Sequence, residues 1–248
     1  MGSDGDEDVN LSPRRIKAVL FDKDGTLFHY HETWGPILHE AANLVAQQDK
    51  ALVPGLIEAA GYDAASRRIR AGSIFAGGET VELARVWREA GATQEQATLV
   101  ELLDDLFTRE ASLRSHPVID LPSFLSGLAA RGFMLGIATN DSVASAARTV
   151  ERFGFGELLA FYCGYDSGHG AKPGPGMVHA FCEAVGLPPQ AIAVVGDNRH
   201  DLDMGRAAGA GLLVGVLTGA SARADLAPYA DAVIESIADL PSLLDDFR

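Results

Sequence analysis

Asp22 and Asp24 stand two residues apart with Lys23 between them, directly after the apolar run Ala18-Val19-Leu20-Phe21 and before Gly25-Thr26-Leu27. Paired carboxylates at the end of a buried strand suit two kinds of chemistry. Hard oxygen ligands hold Mg²⁺, which takes a few carboxylates together with substrate phosphate and water. A carboxylate also attacks phosphorus, while a second carboxyl group protonates the departing alkoxide and then activates water. Gly25 lets the chain turn away sharply without a β-carbon. A calcium loop of the EF-hand kind needs further oxygen ligands and a closing glutamate. The residues Leu27-Phe28-His29-Tyr30 break that pattern.

Three later segments follow other apolar runs in the same way. After Phe133–Ala138 comes Thr139-Asn140-Asp141-Ser142. A hydroxyl beside the free N–H groups of a helix start makes an anion cradle, which points to phosphate binding by Thr139 and the Asn140 backbone. Asp141 or Ser142 serves as the helix cap. Further on, Lys172 lies between Gly170-Ala171 and Pro173-Gly174-Pro175. Its ammonium would neutralise charge gathering on a phosphoryl group. After Ala191–Val195 comes Gly196-Asp197-Asn198-Arg199-His200-Asp201. There Asp197 completes a metal site and Asp201 either supports it from behind or favours the helix start. Arg199 and His200 are expected to be exposed.

The elements that would position these groups are legible from hydrophobic patterning. Strands are expected at Ile16–Phe21, Phe133–Ala138, Leu159–Cys163, Ala191–Val195, Leu212–Leu217 and Ala232–Ile234. Helices separate them at Leu121–Arg131, Ser142–Phe153, Gly176–Val185 and Leu202–Ala208, punctuated by Gly132, Gly154, Gly186 and Gly209–Gly211. Such alternation indicates an α/β fold with a Rossmann-like parallel sheet, which binds ligands outside the carboxyl ends of its strands. Residues 28–115 break the rhythm with helices near Trp34–Gln48, Ala51–Ala60, Thr80–Glu89 and Glu95–Arg109 and no strand. They read as an inserted all-helical cap on a core of residues 16–27 and 116–248, preceded by a mobile acidic tail, residues 1–15.

Taken together, Phe21-Asp22-Lys23-Asp24-Gly25-Thr26-Leu27, Thr139-Asn140, Lys172-Pro173 with Pro175, and Gly196-Asp197 with Asp201 resemble the motifs of the haloacid dehalogenase-like hydrolase superfamily. The resemblance extends from Ile16 to the carboxyl end and is closest to the phosphoglycolate and phosphosugar phosphatase branch with a helical cap. It implies Asp22 as nucleophile and Asp24 as general acid–base, with Thr139 and Asn140 holding a phosphoryl oxygen and Lys172 neutralising charge. It also implies Mg²⁺ bound by Asp22, the Asp24 carbonyl and Asp197, with Asp201 in support. Haloacid dehalogenases themselves lack this acidic pattern, which argues against carbon–halogen cleavage. The segment Phe28-His29-Tyr30-His31-Glu32-Thr33-Trp34 departs from the commoner family pattern; His29 or His31 contacts the substrate or sits in a hinge, and Trp34 packs the cap.

Composition bounds the rest. The 248 residues carry a formal charge of -14, which excludes a nucleic-acid polymer as partner and requires a local cation wherever phosphate is handled. Cys163 and Cys182 are too few for a disulfide framework and suit a reducing compartment. No signal-peptide-like or membrane-spanning stretch is evident, so the expected place is the cytoplasm and the expected partner a small phosphorylated metabolite. Arg67, Arg68 and Arg70, with the loop Gly72–Gly78, are candidates to meet the substrate, and an arginine fork suits the carboxylate of 2-phosphoglycolate. Sugar phosphates, nucleoside monophosphates, a phosphosugar mutase and a non-catalytic phosphate binder are the alternatives. Oligomeric state stays open.

Overall fold

The computed structural model describes residues 15–247, so the expected tail lies outside the described residues apart from Arg15. Strand β1 (Ala18–Phe21) is completely buried. It pairs in parallel with β4 (Met134–Ala138) on one side and β6 (Ile192–Gly196) on the other. Outside these lie β5 (Phe161–Cys163) on one edge, and β7 (Leu212–Val216) and β8 (Ala232–Ile234) on the other, all parallel. The chain order reverses around β1, which is where an open parallel sheet places its ligands. In register, Phe21 lies opposite both Ile137 and Val195. Asp22, Thr139 and Asp197 therefore leave the sheet within one residue of the same level.

Alternation along the strands fixes both faces. Val19 and Phe21 join Leu121, Leu125 and Leu128 of α6 (Leu121–Ala130), Val150 of α7 (Val143–Phe153), and Leu240 and Leu244 of α11 (Leu240–Asp245). Ala18 and Leu20 join Phe181 of α8 (Gly176–Val185), Leu202 and Met204 of α9 (Arg199–Ala208), and Leu226 of α10 (Arg223–Leu226). Burying each such leucine or phenylalanine stabilises the sheet by about 1.5–3 kcal/mol. Gly154, Gly186 and Gly209 end α7, α8 and α9 at positive φ, as expected. Cys163 and Cys182 are buried and unpaired.

Between Phe28 and Pro117 the chain forms a second packing unit. It contains α1 (Tyr30–Ala46), α2 (Val53–Ala59), β2 (Tyr62–Asp63), β3 (Arg68–Ile69), α3 (Ile74–Gly77), α4 (Thr80–Glu89) and α5 (Gln96–Arg114). Its own core gathers Trp34, Ile37, Leu56, Trp87, Leu99 and Leu103, so Trp34 packs there as expected. The insert is not wholly helical: β2 and β3 form a two-residue antiparallel hairpin. Asp63 organises its turn by accepting from the Ala65 amide and the Ser66 hydroxyl, and Arg67 adopts φ 57. Helix α5 runs past the expected Arg109 because nothing breaks it before Pro117, and the Arg114 guanidinium pairs with Glu110 at 2.9 Å. The two connections to the sheet run side by side, with His29 N–H donating to His116 O and Val118 N–H to Leu27 O. Among the described residues no helix is long and apolar enough to cross a membrane.

Candidate active site

Asp22 is fixed by its backbone, whose N–H donates to Val195 O at 2.8 Å, so the side chain begins where β1 meets β6. Lys172 reaches it from the loop after β5. Its Nζ donates to Asp22 Oδ1 at 2.6 Å and to Asp201 Oδ1 at 2.7 Å, with the ammonium buried. Burial alone would lower this ammonium's pKa; the two carboxylates outweigh it and hold the charge. Asn140 secures the same lysine: its Oδ1 accepts from Lys172 N–H at 2.9 Å and its Nδ2 donates to Lys172 O at 3.1 Å. The Asn140 side chain is thus a clamp on two loops, a role the sequence reading did not give it.

Asp197 leaves β6 beside Asp22. Its Oδ2 accepts from Ala220 N–H at 2.8 Å, and a β-carbon at Gly25 or Gly219 would overlap its carboxylate. Those two glycines let the chain close around it, and Thr218 Oγ1 ties the two loops by donating to Gly25 O. Asp201 opens α9 in a capping box, with Oδ2 accepting from Asn198 N–H at 3.0 Å. One carboxylate oxygen from each of Asp22, Asp197 and Asp201 lies within 4.8 Å of the others. Both Asp201 oxygens already have protein partners, whereas Asp22 Oδ2 is buried without one. Asp22 and Asp197 are therefore better placed than Asp201 to hold a cation directly.

Electrostatics test whether a cation fits. Three carboxylates face one ammonium in a buried space. Burial raises the Asp22 carboxyl, with Lys172 opposing and Asp201 and Asp24 adding to it; burial, Asp22 and Asp201 raise Asp197 well above its ordinary range. A divalent cation among these oxygens would offset the repulsion and return Asp22 and Asp197 to their charged forms. Oxygen-only donors in this number suit Mg²⁺.

Thr139 is buried at the end of β4, where its Oγ1 accepts from Asp141 N–H at 3.1 Å and keeps its own proton free to donate. Ser142 is the residue that caps α7, accepting from Ser145 N–H at 3.2 Å. Asp141 is instead a buried partner of Lys23, a contact the sequence did not reveal. Lys23 is fully buried, with Nζ 2.5 Å from Asp24 Oδ2, 3.2 Å from Asp141 Oδ2 and 5.6 Å from the centre of the Trp34 ring. Both carboxylates lie within ion-pair distance of the ammonium. Asp141 is pinned in turn by Ser142 N–H and by Ser145 Oγ. Burial opposes the Lys23 charge, and Asp24 with Asp141 more than restores it. Asp24 Oδ2 is held, then, while its Oδ1 is buried with no hydrogen-bond partner. Lys23→Met should destabilise the fold by about 3–5 kcal/mol by stranding two buried carboxylates, measured by urea denaturation; a loss under about 1 kcal/mol contradicts the pairing.

The insert closes over this site through α3. Asn140 Nδ2 donates to Gly77 O at 2.8 Å and Asn198 Nδ2 to Ala76 O at 3.1 Å, while within the insert Tyr30 Oη holds α3 by donating to Phe75 O at 2.7 Å. His200 Nδ1 also meets Gly77 O at 2.8 Å, so His200 is half-buried and engaged, contrary to the expectation of exposure. Arg199 is exposed as expected and pairs with Asp203. Part of the expected loop, Ile74 to Gly78, lines the resulting cavity; Arg67, Arg68 and Arg70 do not, because the hairpin carries them to the exterior. His29 and His31 do not line it either.

Among known proteins, the family model described as "haloacid dehalogenase-like hydrolase" matches residues 16–209. The N-acetylmuramic acid 6-phosphate phosphatase of Pseudomonas aeruginosa is 26% identical over 195 residues, 79% of each chain. The phosphoglycolate phosphatase of Yersinia pseudotuberculosis is 29% identical over 94% of this chain and 97% of its own. The solved structure of a hydrolase from Pseudomonas syringae superposes with a TM-score of 0.66 at 19% identity, covering 94% of this chain and 99% of that one, a likeness of fold. The match over most of the chain, on a parallel sheet that gathers Asp22, Thr139, Lys172 and Asp197 at one end, shows that this protein belongs to the haloacid dehalogenase-like hydrolases.

Proposed function

We propose that the protein is a magnesium-dependent phosphoric monoester hydrolase acting on a small phosphorylated metabolite, with residues 28–115 as a cap over a core of residues 16–27 and 116–248. The observation that carries this reading is the pair of unpartnered buried oxygens, Asp22 Oδ2 and Asp24 Oδ1, on one cavity with Lys172 and Asp197. Asp22 attacks phosphorus: its oxygen–phosphorus bond forms as the ester bond breaks. Asp24 gives the leaving alkoxide a proton from Oδ1, while Lys23 holds Oδ2 and so the direction of that carboxyl group. Asp24 then takes a proton from water, the hydroxide displaces Asp22 from phosphorus, and orthophosphate leaves.

Thr139 Oγ1 and the Asn140 amide donate to phosphoryl oxygens, and Lys172 keeps the approaching charges from repelling. Mg²⁺ held by Asp22, the Asp24 carbonyl and Asp197 would neutralise phosphoryl charge and orient the group. The cap excludes bulk water through the α3 contacts. The two named relatives differ in their esters, so their names do not choose between phosphoglycolate and a sugar phosphate. The arginine fork that favoured phosphoglycolate is absent from the cavity wall.

Following free phosphate from a panel of metabolite monoesters tests the proposal. Activity should vanish after chelation and dialysis and return with added Mg²⁺. Full activity without metal, or an isomer formed in place of phosphate, would count against it.

A further inference from the structure

Part of the cavity wall is aromatic. Trp34 from α1, Phe75 from α3 and Phe107 from α5 meet edge to face, with ring centres 5.4 to 5.9 Å apart, and all three line the cavity. Trp34 is buried, yet its Nε1–H has no acceptor in the protein. A buried indole N–H ordinarily finds one. On the charge side, Lys172 is the one lysine or arginine among the described lining residues, and it is already bonded to Asp22 and Asp201. His200, also in the wall, has Nδ1 on Gly77 O. The hairpin holding Arg67, Arg68 and Arg70 faces outward.

We infer that the alcohol half of the substrate is uncharged and bears a ring with an apolar face, seated on Trp34, Phe75 and Phe107, with an oxygen that accepts from Trp34 Nε1–H. The inference rests on the phosphatase reading for the phosphoryl half. A carboxylate or second phosphate in this space would lose its hydration to an apolar wall and approach several acids, while the nearby ammoniums of Lys172 and Lys23 are already paired with carboxylates. A sugar or base ring exchanges water for flat apolar contact, as ligand pockets with few placed polar groups commonly arrange. The geometry thus sets this cavity apart from one built for a small anionic alcohol such as glycolate.

Four probes read the ranking: a hexose 6-phosphate, a nucleoside 5′-monophosphate, ethyl phosphate and 2-phosphoglycolate. kcat/KM is measured with the full chain and Mg²⁺, and Kd by calorimetry on Asp22→Asn, so that the order is obtained even where turnover is absent. At least one ring-bearing ester should exceed 2-phosphoglycolate roughly tenfold in both measures, and which of the two leads identifies the kind of ring. Phe75→Ala should raise KM for that ester more than it lowers kcat and narrow its advantage over ethyl phosphate. Should 2-phosphoglycolate bind as tightly as the better of the two ring-bearing esters, or Phe75→Ala leave the preference intact, the inference fails while the phosphatase reading stands. Ring-selective binding with no phosphate released from any probe sinks the phosphatase reading instead.

Discussion

Asp22→Asn is expected to lower phosphate release at least about 10⁴-fold while the protein still unfolds in a single cooperative transition. The amide keeps the shape of the carboxylate and the backbone bond to Val195 O, so the position of the side chain is retained. What is lost is the anionic oxygen that attacks phosphorus. Stability should change little, because two effects oppose. The substitution gives up the 2.6 Å charged bond from Lys172, yet it also relieves the repulsion from neighbouring carboxylates that, after burial, raises the pKa values of Asp22 and Asp197. Steady-state kinetics and thermal unfolding on the same preparation separate the two readouts. Near-normal release would remove Asp22 from the role of nucleophile.

Lys172→Met should act on both readouts. Loss of a placed charge facing the reacting group costs about 10²- to 10³-fold in kcat. Here the lysine also joins two buried carboxylates, at 2.6 and 2.7 Å, and removing it strands both beside Asp197. The fold should lose about 3–5 kcal/mol in the absence of metal. Mg²⁺ should recover part of that loss, because a cation that binds only the folded site stabilises it by mass action. Arg199→Ala is the internal control: that side chain is exposed, pairs with Asp203 on its own helix, lies 4.2 Å from the centre of the Tyr229 ring, and should change stability by no more than about 1 kcal/mol. Equal effects at Lys172 and Arg199 would contradict the assignment, as would a Lys172 variant whose melting temperature ignores Mg²⁺.

Much of this site was legible because a parallel sheet gives its chemistry a simple address. The apolar runs located β1, β4, β5 and β6 to within two residues at either end, and the rule that ligands sit past their carboxyl ends then named Asp22, Thr139, Lys172 and Asp197. The rest depended on contacts between distant stretches of chain, which hydrophobic periodicity does not encode. Lys23 reads as a spacer between two aspartates until the fold brings Asp141 to it. The hairpin of β2 and β3 is too short to show alternation and takes its turn from Asp63 and Arg67. It decided the fate of the three arginines, which looked available for a substrate and are turned outward. The aromatic wall comes from three different helices at Trp34, Phe75 and Phe107, each of which reads singly as ordinary core. A signal for Lys23 was present, though: a lysine continuing a fully buried strand must meet carboxylates somewhere.

All of these expectations assume that phosphorus passes through a bond to one side chain. Rapid acid quench during turnover of a ³²P-labelled ester, followed by borohydride reduction and peptide mass spectrometry, observes that bond directly. The predicted result is ³²P bound to the quenched protein before reduction and, once reduction has released it as phosphate, homoserine at position 22 in the peptide that held Asp22. Homoserine at another position would assign the nucleophile elsewhere, and no protein-bound label while phosphate is released at full rate would mean that water attacks the ester directly.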